Sequence, residues 1–139
     1  MEENYPTVLS VERVHRAMHA VFEASLSPLG LNGAQWDTLR LIGREPGITG
    51  AEIARRTQTT PPATTKMLQR LEANRYVTRT VPSKGRAVET HLTPEGKALL
   101  AEGDRVAAKL EAHLRNSFDS KQHESFLLLL AQCYETFKQ

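Results

Sequence analysis

The stretch from Ile48 to Arg86 constrains the fold more than any other part of the chain. Its pattern predicts a short helix, a tight turn, a second helix and then two strands joined by a basic tip. Thr49 and Glu52 have the spacing of a capping box at the first helix. Thr60 precedes two prolines, which suit a first helical turn because N–H groups there have no partner within the helix. Two helices joined by so few residues predict a helix-turn-helix.

The second helix of this pair has two contrasting faces. Thr64, Met67, Leu68 and Leu71 fall on one side at helical spacing and are expected to be buried. Small and polar side chains on the other side can approach base edges, while its basic side chains can bind guanine or a phosphate. A helical hairpin with an ordinary hydrophilic face would give the same pattern. The residues predicted to contact DNA from this helix and its cap are Thr60, Pro62, Ala63, Thr65, Lys66, Gln69 and Arg70.

The segment after this helix favours the DNA-binding interpretation. Residues 76–81 and 87–92 are rich in strand-forming side chains, and residues 82–86 form a tip between them. A hairpin directly after such a helix predicts a wing. Arg79, Lys84 and Arg86 are then expected to lie along the phosphates or in a narrow minor groove.

Positive charge is concentrated in the same stretch, from Ile48 to Arg86. The net charge of the whole chain is only +2, which by itself does not indicate a nucleic-acid partner. Between Ile48 and Arg86, however, the acidic residues are Glu52 and Glu72 alone. A locally basic block predicts a surface that contacts phosphates, although a solvated basic face is the alternative. The basic residues of the block are Arg55, Arg56, Lys66, Arg70, Arg75, Arg79, Lys84 and Arg86.

The rest of the chain is predicted to be helical, so the fold class is mainly α with a small β-hairpin wing. Helices are expected from about Val8 to Pro28, after a cap at Asn32, from Thr93 to about Arg115, and at the C-terminus. Their apolar side chains exceed what a small monomer can bury, which predicts a dimer formed by helices at both termini. A core helix or a membrane-surface segment is the alternative for residues 127–130. The predicted interface residues are Val11, Val14, Leu114, Phe126, Leu130, Cys133 and Phe137.

The length is that of one domain, residues 1–139. Within it we expect a winged helix-turn-helix lobe at 32–98 and a helical dimerisation region at 5–30 and 99–139. A single cysteine, an N-terminus that is not a signal peptide and the lack of an apolar run of roughly 20 residues predict a cytoplasmic protein without a membrane partner.

No catalytic pattern stands out, so we expect neither enzyme activity nor a cofactor. His15 and His19 have a spacing that can hold a metal, but no carboxylate or thiol is obviously placed to complete a site, so a surface or interface histidine pair is expected instead. Cys133 lies on an apolar stretch, where a thiol is usually inert, although oxidation sensing is the alternative.

Four runs of sequence resemble the MarR family of winged-helix regulators. They are LGLNGAQWDTLRLI, EPGITGAEIARR, PPATTKMLQRLEANRYVTR and GRAVETHLTPEGKALL, which lie between Leu29 and Leu100. The resemblance implies a homodimer that binds a pseudo-palindromic operator in double-stranded DNA. It also implies a repressor released by a small phenolic or aromatic effector. The usual cavity of the family would involve His15, Met18, Phe22 and Trp36.

The chain departs from the family pattern at two places. The wing carries Lys84-Gly85-Arg86 where the family usually has Asp-x-Arg, so the aspartate that helps to fix the wing is absent. A glycine usually ends the second helix of the pair, whereas this chain has Asn74-Arg75, and we expect Asn74 to adopt the left-handed conformation. The unusual wing keeps open a second hypothesis, a winged-helix dimer that binds another protein and little or no DNA.

Overall fold

Six α-helices and three short strands make up the computed structural model, which describes residues 4–138. The first three residues of the acidic N-terminal stretch, on which part of the signal-peptide expectation rests, lie outside that range. The helices are α1 (Pro6–Leu26), α2 (Gly33–Arg44), α3 (Gly50–Thr57), α4 (Pro61–Ala73), α5 (Pro94–Arg115) and α6 (Ser120–Phe137). A 3-10 turn covers Ser27–Leu29. The strands are β1 (Ile48–Thr49), β2 (Val77–Thr80) and β3 (Glu89–Leu92).

Local side chains set most of the helix starts, as predicted. The Asn32 side chain accepts from the Gln35 N–H at 2.8 Å, and the Gln35 side chain accepts from the Asn32 N–H at 3.0 Å. Thr60 Oγ1 accepts from Ala63 N–H at 3.3 Å, which confirms the cap of α4. At α3 only half of the predicted capping box forms. Thr49 accepts from the Glu52 N–H, but the Glu52 carboxylate bonds to two arginines instead.

The sheet has one strand more than the predicted hairpin. β2 and β3 pair antiparallel from Val77 opposite Leu92 to Thr80 opposite Glu89. β1 adds to the other edge of β3, so the strand order is β1-β3-β2. A two-residue strand is too short to show an alternating pattern in the sequence. Its place is set by tertiary pairing, including a bond from the Gly47 N–H to the Thr90 carbonyl at 2.9 Å.

The core joins the end of α1 to the helix-turn-helix and the sheet. Its fully buried side chains come from five different elements, and partly buried Phe22, Trp36 and Met67 pack around them. The predicted inner face of α4 is correct, because Thr64, Leu68 and Leu71 are buried and Met67 is half-buried. The largest fully buried apolar side chains are Leu26, Leu39, Ile42, Ile53, Leu68, Leu71 and Val77.

The end of α4 differs from the prediction. Asn74 keeps a negative φ of −84°, and Arg75 takes the left-handed conformation with φ +65°. The Tyr76 N–H donates to the Leu71 carbonyl and the Arg75 N–H to the Glu72 carbonyl, both at 2.9 Å. This is the Schellman pattern, which requires the positive φ one residue after the cap. Packing of Tyr76 and Val77 against the core fixes that register, so tertiary contacts override the preference of asparagine for this conformation.

Two compact units divide the chain, one ending at Val106 and the other beginning at Ala107. In the second unit, the Phe118 and Phe126 rings stack with their centroids 5.0 Å apart. Asp119 and Gln122 form a reciprocal capping box at the start of α6. Within residues 4–138, no helix is both long enough and apolar enough to cross a membrane.

Candidate nucleic-acid interface

The outward face of α4 is fully displayed to solvent. Its small first turn and its polar and basic side chains all lie on this face, opposite the buried Leu68 and Leu71. The structure therefore brings together every residue that the sequence assigned to DNA contact on this helix. The exposed residues are Thr60, Pro62, Ala63, Thr65, Lys66, Gln69 and Arg70.

A short turn presents this helix. Gln58 takes a left-handed conformation with φ +54° after α3, and its N–H bonds back to the Ala54 and Arg55 carbonyls. The Thr57 hydroxyl donates to the Ile53 carbonyl at 2.7 Å, and the Thr59 N–H donates to the Ala54 carbonyl at 3.0 Å. These hydrogen bonds stabilise the short turn between α3 and α4. They therefore fix the position at which α4 starts.

The basic block contains two groups of cations with different surroundings. Arg55 and Arg56 both bond to the Glu52 carboxylate, and Arg56 also pairs with Glu45 at the end of α2. Hydrogen bonds from Arg55 and then Arg56 lower the pKa of Glu52 to about 2. These ion pairs fix α3 against α2. The i,i+3 and i,i+4 spacing in the sequence could have revealed the Glu52 pairs, but the Glu45 pair spans eleven residues and needed the fold.

The second group is available to an external anion. Lys66, Arg70, Lys84 and Arg86 are exposed, and none makes an ion pair or side-chain hydrogen bond with another residue of the described chain. Four unpaired cations on one helix face and one hairpin tip form a surface suited to phosphates. Of the eight basic residues of the block, Arg55 and Arg56 are thus already paired with carboxylates of the protein itself.

A backbone hydrogen bond and a glycine with positive φ form the turn at the tip of the wing. The Arg86 N–H donates to the Ser83 carbonyl at 3.1 Å, and Gly85 has a φ of +82°, a conformation that favours glycine. A turn of this kind forms without the aspartate that the family usually carries there. Lys84 and Arg86 both project from it as exposed side chains.

Arg79 has a different environment from the other predicted contacts. Alternation along β2 puts it on the same side as buried Val77, whereas Thr78 and Thr80 are exposed. Its Nε is buried without a hydrogen-bond partner among residues 4–138. Nη2 lies 4.0 Å from the point that a Cβ on Gly50 would occupy, beside the start of α3. Arg79 is thus half-buried, unlike the exposed cations of α4 and the wing tip.

The predicted effector residues fall into two places. The Phe22 and Trp36 rings meet edge to face with centroids 5.2 Å apart, and Trp36 Nε1 donates to Asp104 Oδ1 at 3.0 Å. A Cβ on Gly103 would stand 2.7 Å from Trp36, so this glycine allows α5 to approach the indole. His15 and Met18 are exposed further towards the start of α1, where His15 stacks on His19 at 5.7 Å. Trp36 is thereby a packing anchor between helices.

The predicted interface residues are largely exposed in the isolated chain. Val11 and Val14 expose more than half of their surface, and Phe137 exposes 80%. Leu130 and Cys133 are also exposed, whereas Leu114 and Phe126 are half-buried. Such apolar stripes along α1 and α6 exceed what a monomer usually leaves in water.

Comparison with known proteins agrees with this architecture. The MarR family model matches residues 29–87. The HTH-type transcriptional repressor Rv2887 of Mycobacterium tuberculosis is 30% identical over 131 residues, which cover 94% of both chains. A crystal structure of Rv2887 in complex with salicylic acid has a TM-score of 0.74 at 29% identity, covering 96% of this chain and 99% of that one.

A further solved structure is that of the transcriptional repressor CouR bound to a 23-mer DNA duplex. Its TM-score is 0.83 at 26% identity, with 96% of this chain and 99% of that chain covered. Almost the whole length of the chain is therefore similar to solved structures of transcriptional regulators. From its sequence identity with these regulators and from its winged helix-turn-helix architecture, this chain belongs to the MarR family.

Proposed function

We propose that this protein is a homodimeric transcriptional repressor that binds a pseudo-palindromic site in double-stranded DNA. The observation that carries the proposal is the set of unpaired cations, Lys66, Arg70, Lys84 and Arg86, on the outward face of α4 and the wing tip. Residues 32–98 act as the DNA-binding lobe. The relatives add support, since one is named a repressor and another is a repressor bound to DNA.

The dimer places two copies of α4 in successive major grooves, about 34 Å apart along the DNA. Residues 5–30 and 99–139 form the dimerisation region, and the exposed apolar side chains of α1 and α6 supply its contacts. Each α4 presents Thr65 and Gln69 to the base edges. The exposed cations of α4 and the wing tip bind phosphates, and the wing lies along the sugar-phosphate backbone of the DNA. A regulator of chromosomal DNA works in the cytoplasm, and nothing in this mechanism requires catalysis.

A small aromatic effector releases the protein from DNA. The support is the structure of Rv2887 with salicylic acid, in a chain of almost the same length and architecture. An effector acts by binding the DNA-free conformation more tightly than the DNA-bound one. Salicylate is the first compound to test.

The test of DNA binding is a mobility-shift titration on fragments from upstream of the coding gene, at several salt concentrations. Arg86→Ala should weaken binding to all fragments and reduce the salt dependence by about one phosphate contact. Arg55→Ala is the matched control, because it removes a cation of the same block that is already paired with Glu52. Gln69→Ala should instead change the preference among sequences.

Two outcomes would contradict the proposal. If correctly dimeric protein shifts no fragment even at low salt, the chain is better described as a protein-interaction module. If Arg86→Ala and Arg55→Ala change the salt dependence equally, the distinction between free and paired cations is wrong.

A further inference from the structure

The first turn of α2 makes polar contacts with two other helices. The Gly33 N–H donates to Glu23 Oε1 of α1 at 2.8 Å. The Trp36 indole Nε1 donates to Asp104 Oδ1 of α5 at 3.0 Å. Gly33 is the first residue of α2, so its N–H has no partner within that helix, and the helix dipole favours a carboxylate there. Each contact is directional, because it joins one N–H to one carboxylate oxygen.

Two glycines allow the three helices to approach each other closely. A Cβ on Gly33 would stand 2.6 Å from Glu23 Oε1, and a Cβ on Gly103 would stand 2.7 Å from Trp36 Cδ1. Phe22 of α1 packs edge to face on the same indole, with ring centroids 5.2 Å apart. Trp36 therefore touches both α1 and α5, and the two hydrogen bonds restrict how either helix can rotate against α2.

The orientation of α1 matters for the dimer that the proposed function requires. α1 carries exposed apolar side chains from Val8 to Val21, which supply dimer contacts in that proposal. It has 21 residues, so its length is about 31 Å. A tilt of about 10° at its Glu23 end would move the other end by about 5 Å, which exceeds the rise of one base pair, about 3.4 Å. A small rotation at α2 would therefore change how far apart a dimer holds its two α4 helices.

We propose that Glu23 and Asp104 are positioning residues for DNA binding. They fix α1 and α5 on the first turn of α2, and thereby set the distance between the two α4 helices of the dimer. Both act through α2 and not by touching DNA, so they determine which half-site spacing the dimer accepts. This inference rests on the proposed function, because it assumes the homodimer.

Spin labels on α4 measure this distance in the full-length dimer without DNA. Glu72→Cys provides a labelling site at an exposed position near the end of α4, and Cys133→Ser removes the other thiol. Pulsed electron paramagnetic resonance should give one narrow distance distribution for this labelled parent. Glu23→Ala and Asp104→Ala should each broaden the distribution by about 5 Å, the displacement worked out for α1. Glu102→Ala removes an exposed acid of α5 that makes neither contact, so it should leave the distribution unchanged.

Conservative variants separate the hydrogen bonds from the charges. Glu23→Gln and Asp104→Asn keep an acceptor oxygen, so each should retain the narrow distribution of the parent. Trp36→Phe keeps an aromatic ring against Phe22 but removes the N–H donor, so it should broaden the distribution as Asp104→Ala does. Combining Trp36→Phe with Asp104→Ala should add no further broadening, because both substitutions remove the same bond.

The consequence for binding is tested on the fragment that the parent binds most tightly, with the half-site spacing changed by one base pair. The parent should prefer the original spacing by about tenfold, because the altered site must be deformed to fit. Glu23→Ala and Asp104→Ala should lower this preference to about threefold or less. The amide variants should keep the preference of the parent.

Two results would overturn the proposal. One is a lower Tm in the alanine variants with an unchanged distance distribution, since the two contacts would then only stabilise the fold. The other is equal broadening in Glu102→Ala. Because the distance measurement contains no DNA, a narrow distribution that depends on Glu23 and Asp104 in a protein that shifts no fragment would contradict the proposed function alone.

Discussion

Arg75→Gly should stabilise the protein, although it replaces a residue in a well-formed helix end. Arg75 has a φ of +65°, where the Cβ of an L-residue crowds the backbone at a cost of about 1–2 kcal/mol. It cannot relax, because its own N–H, the Tyr76 N–H and the Thr93 hydroxyl all fix its position by hydrogen bonds of 2.6 to 2.9 Å. Its side chain is exposed, and within residues 4–138 it makes no ion pair or side-chain hydrogen bond that the substitution would lose.

The net gain follows from two opposing terms. Relief of the left-handed strain favours the glycine variant, and the greater freedom of glycine in the unfolded chain opposes it by about 0.5–1 kcal/mol. A net increase of about 0.5–1 kcal/mol in the free energy of unfolding remains, which corresponds to a rise of about 2–4 °C in Tm for a chain of this length. Thermal unfolding followed by circular dichroism at one fixed protein concentration measures it, since a dimer's Tm depends on concentration.

Two control variants make the test specific. Arg75→Ala removes the charge and keeps the strain, so its Tm should stay near that of the parent. Asn74→Gly introduces glycine where φ is −84°, so it should lower the free energy of unfolding by about 0.5–1 kcal/mol. If Asn74→Gly stabilises and Arg75→Gly does not, the helix ends one residue earlier than described and the Schellman assignment is wrong.

Two further substitutions test the start of α2 and the ion pairs of α3. Asn32→Ala removes the side chain that caps α2, so the free energy of unfolding measured in urea should fall by about 1 kcal/mol. An unchanged urea midpoint would contradict the capping box. Glu52 has a pKa lowered from 4.5 to about 2 by its bonds to Arg55 and Arg56, so its contribution to stability is present above pH 4.5 and is lost as the pH falls towards 2. Glu52→Gln should therefore flatten the loss of stability between those two pH values, and a profile parallel to that of the parent would show that the pairs contribute nothing measurable.

The candidate interface shows which features local sequence patterns can predict and which they cannot. The sequence assigned α4 correctly, including its cap at Thr60 and its buried Leu68 and Leu71, because helical spacing and capping depend on residues only a few positions apart. The same reasoning could not separate paired from unpaired cations. Arg56 is engaged by Glu45 from another helix, and Arg86 is free, yet both are simply basic residues in the sequence.

The sequence by itself determined the order of the helices, their starts at Asn32, Thr60 and Thr93, and the existence of a hairpin, since each of these follows from local hydrogen bonds and from the periodicity of apolar residues. Tertiary structure decided the third strand, the inward direction of Arg79 and the left-handed conformation of Arg75. Each of these depends on a partner distant in sequence: β3 for β1, the buried side of the sheet for Arg79, and the packing of Tyr76 and Val77 for Arg75. Where local preference and burial disagreed at Asn74-Arg75, burial prevailed, because core packing fixes the register and the strain of one residue is small beside it.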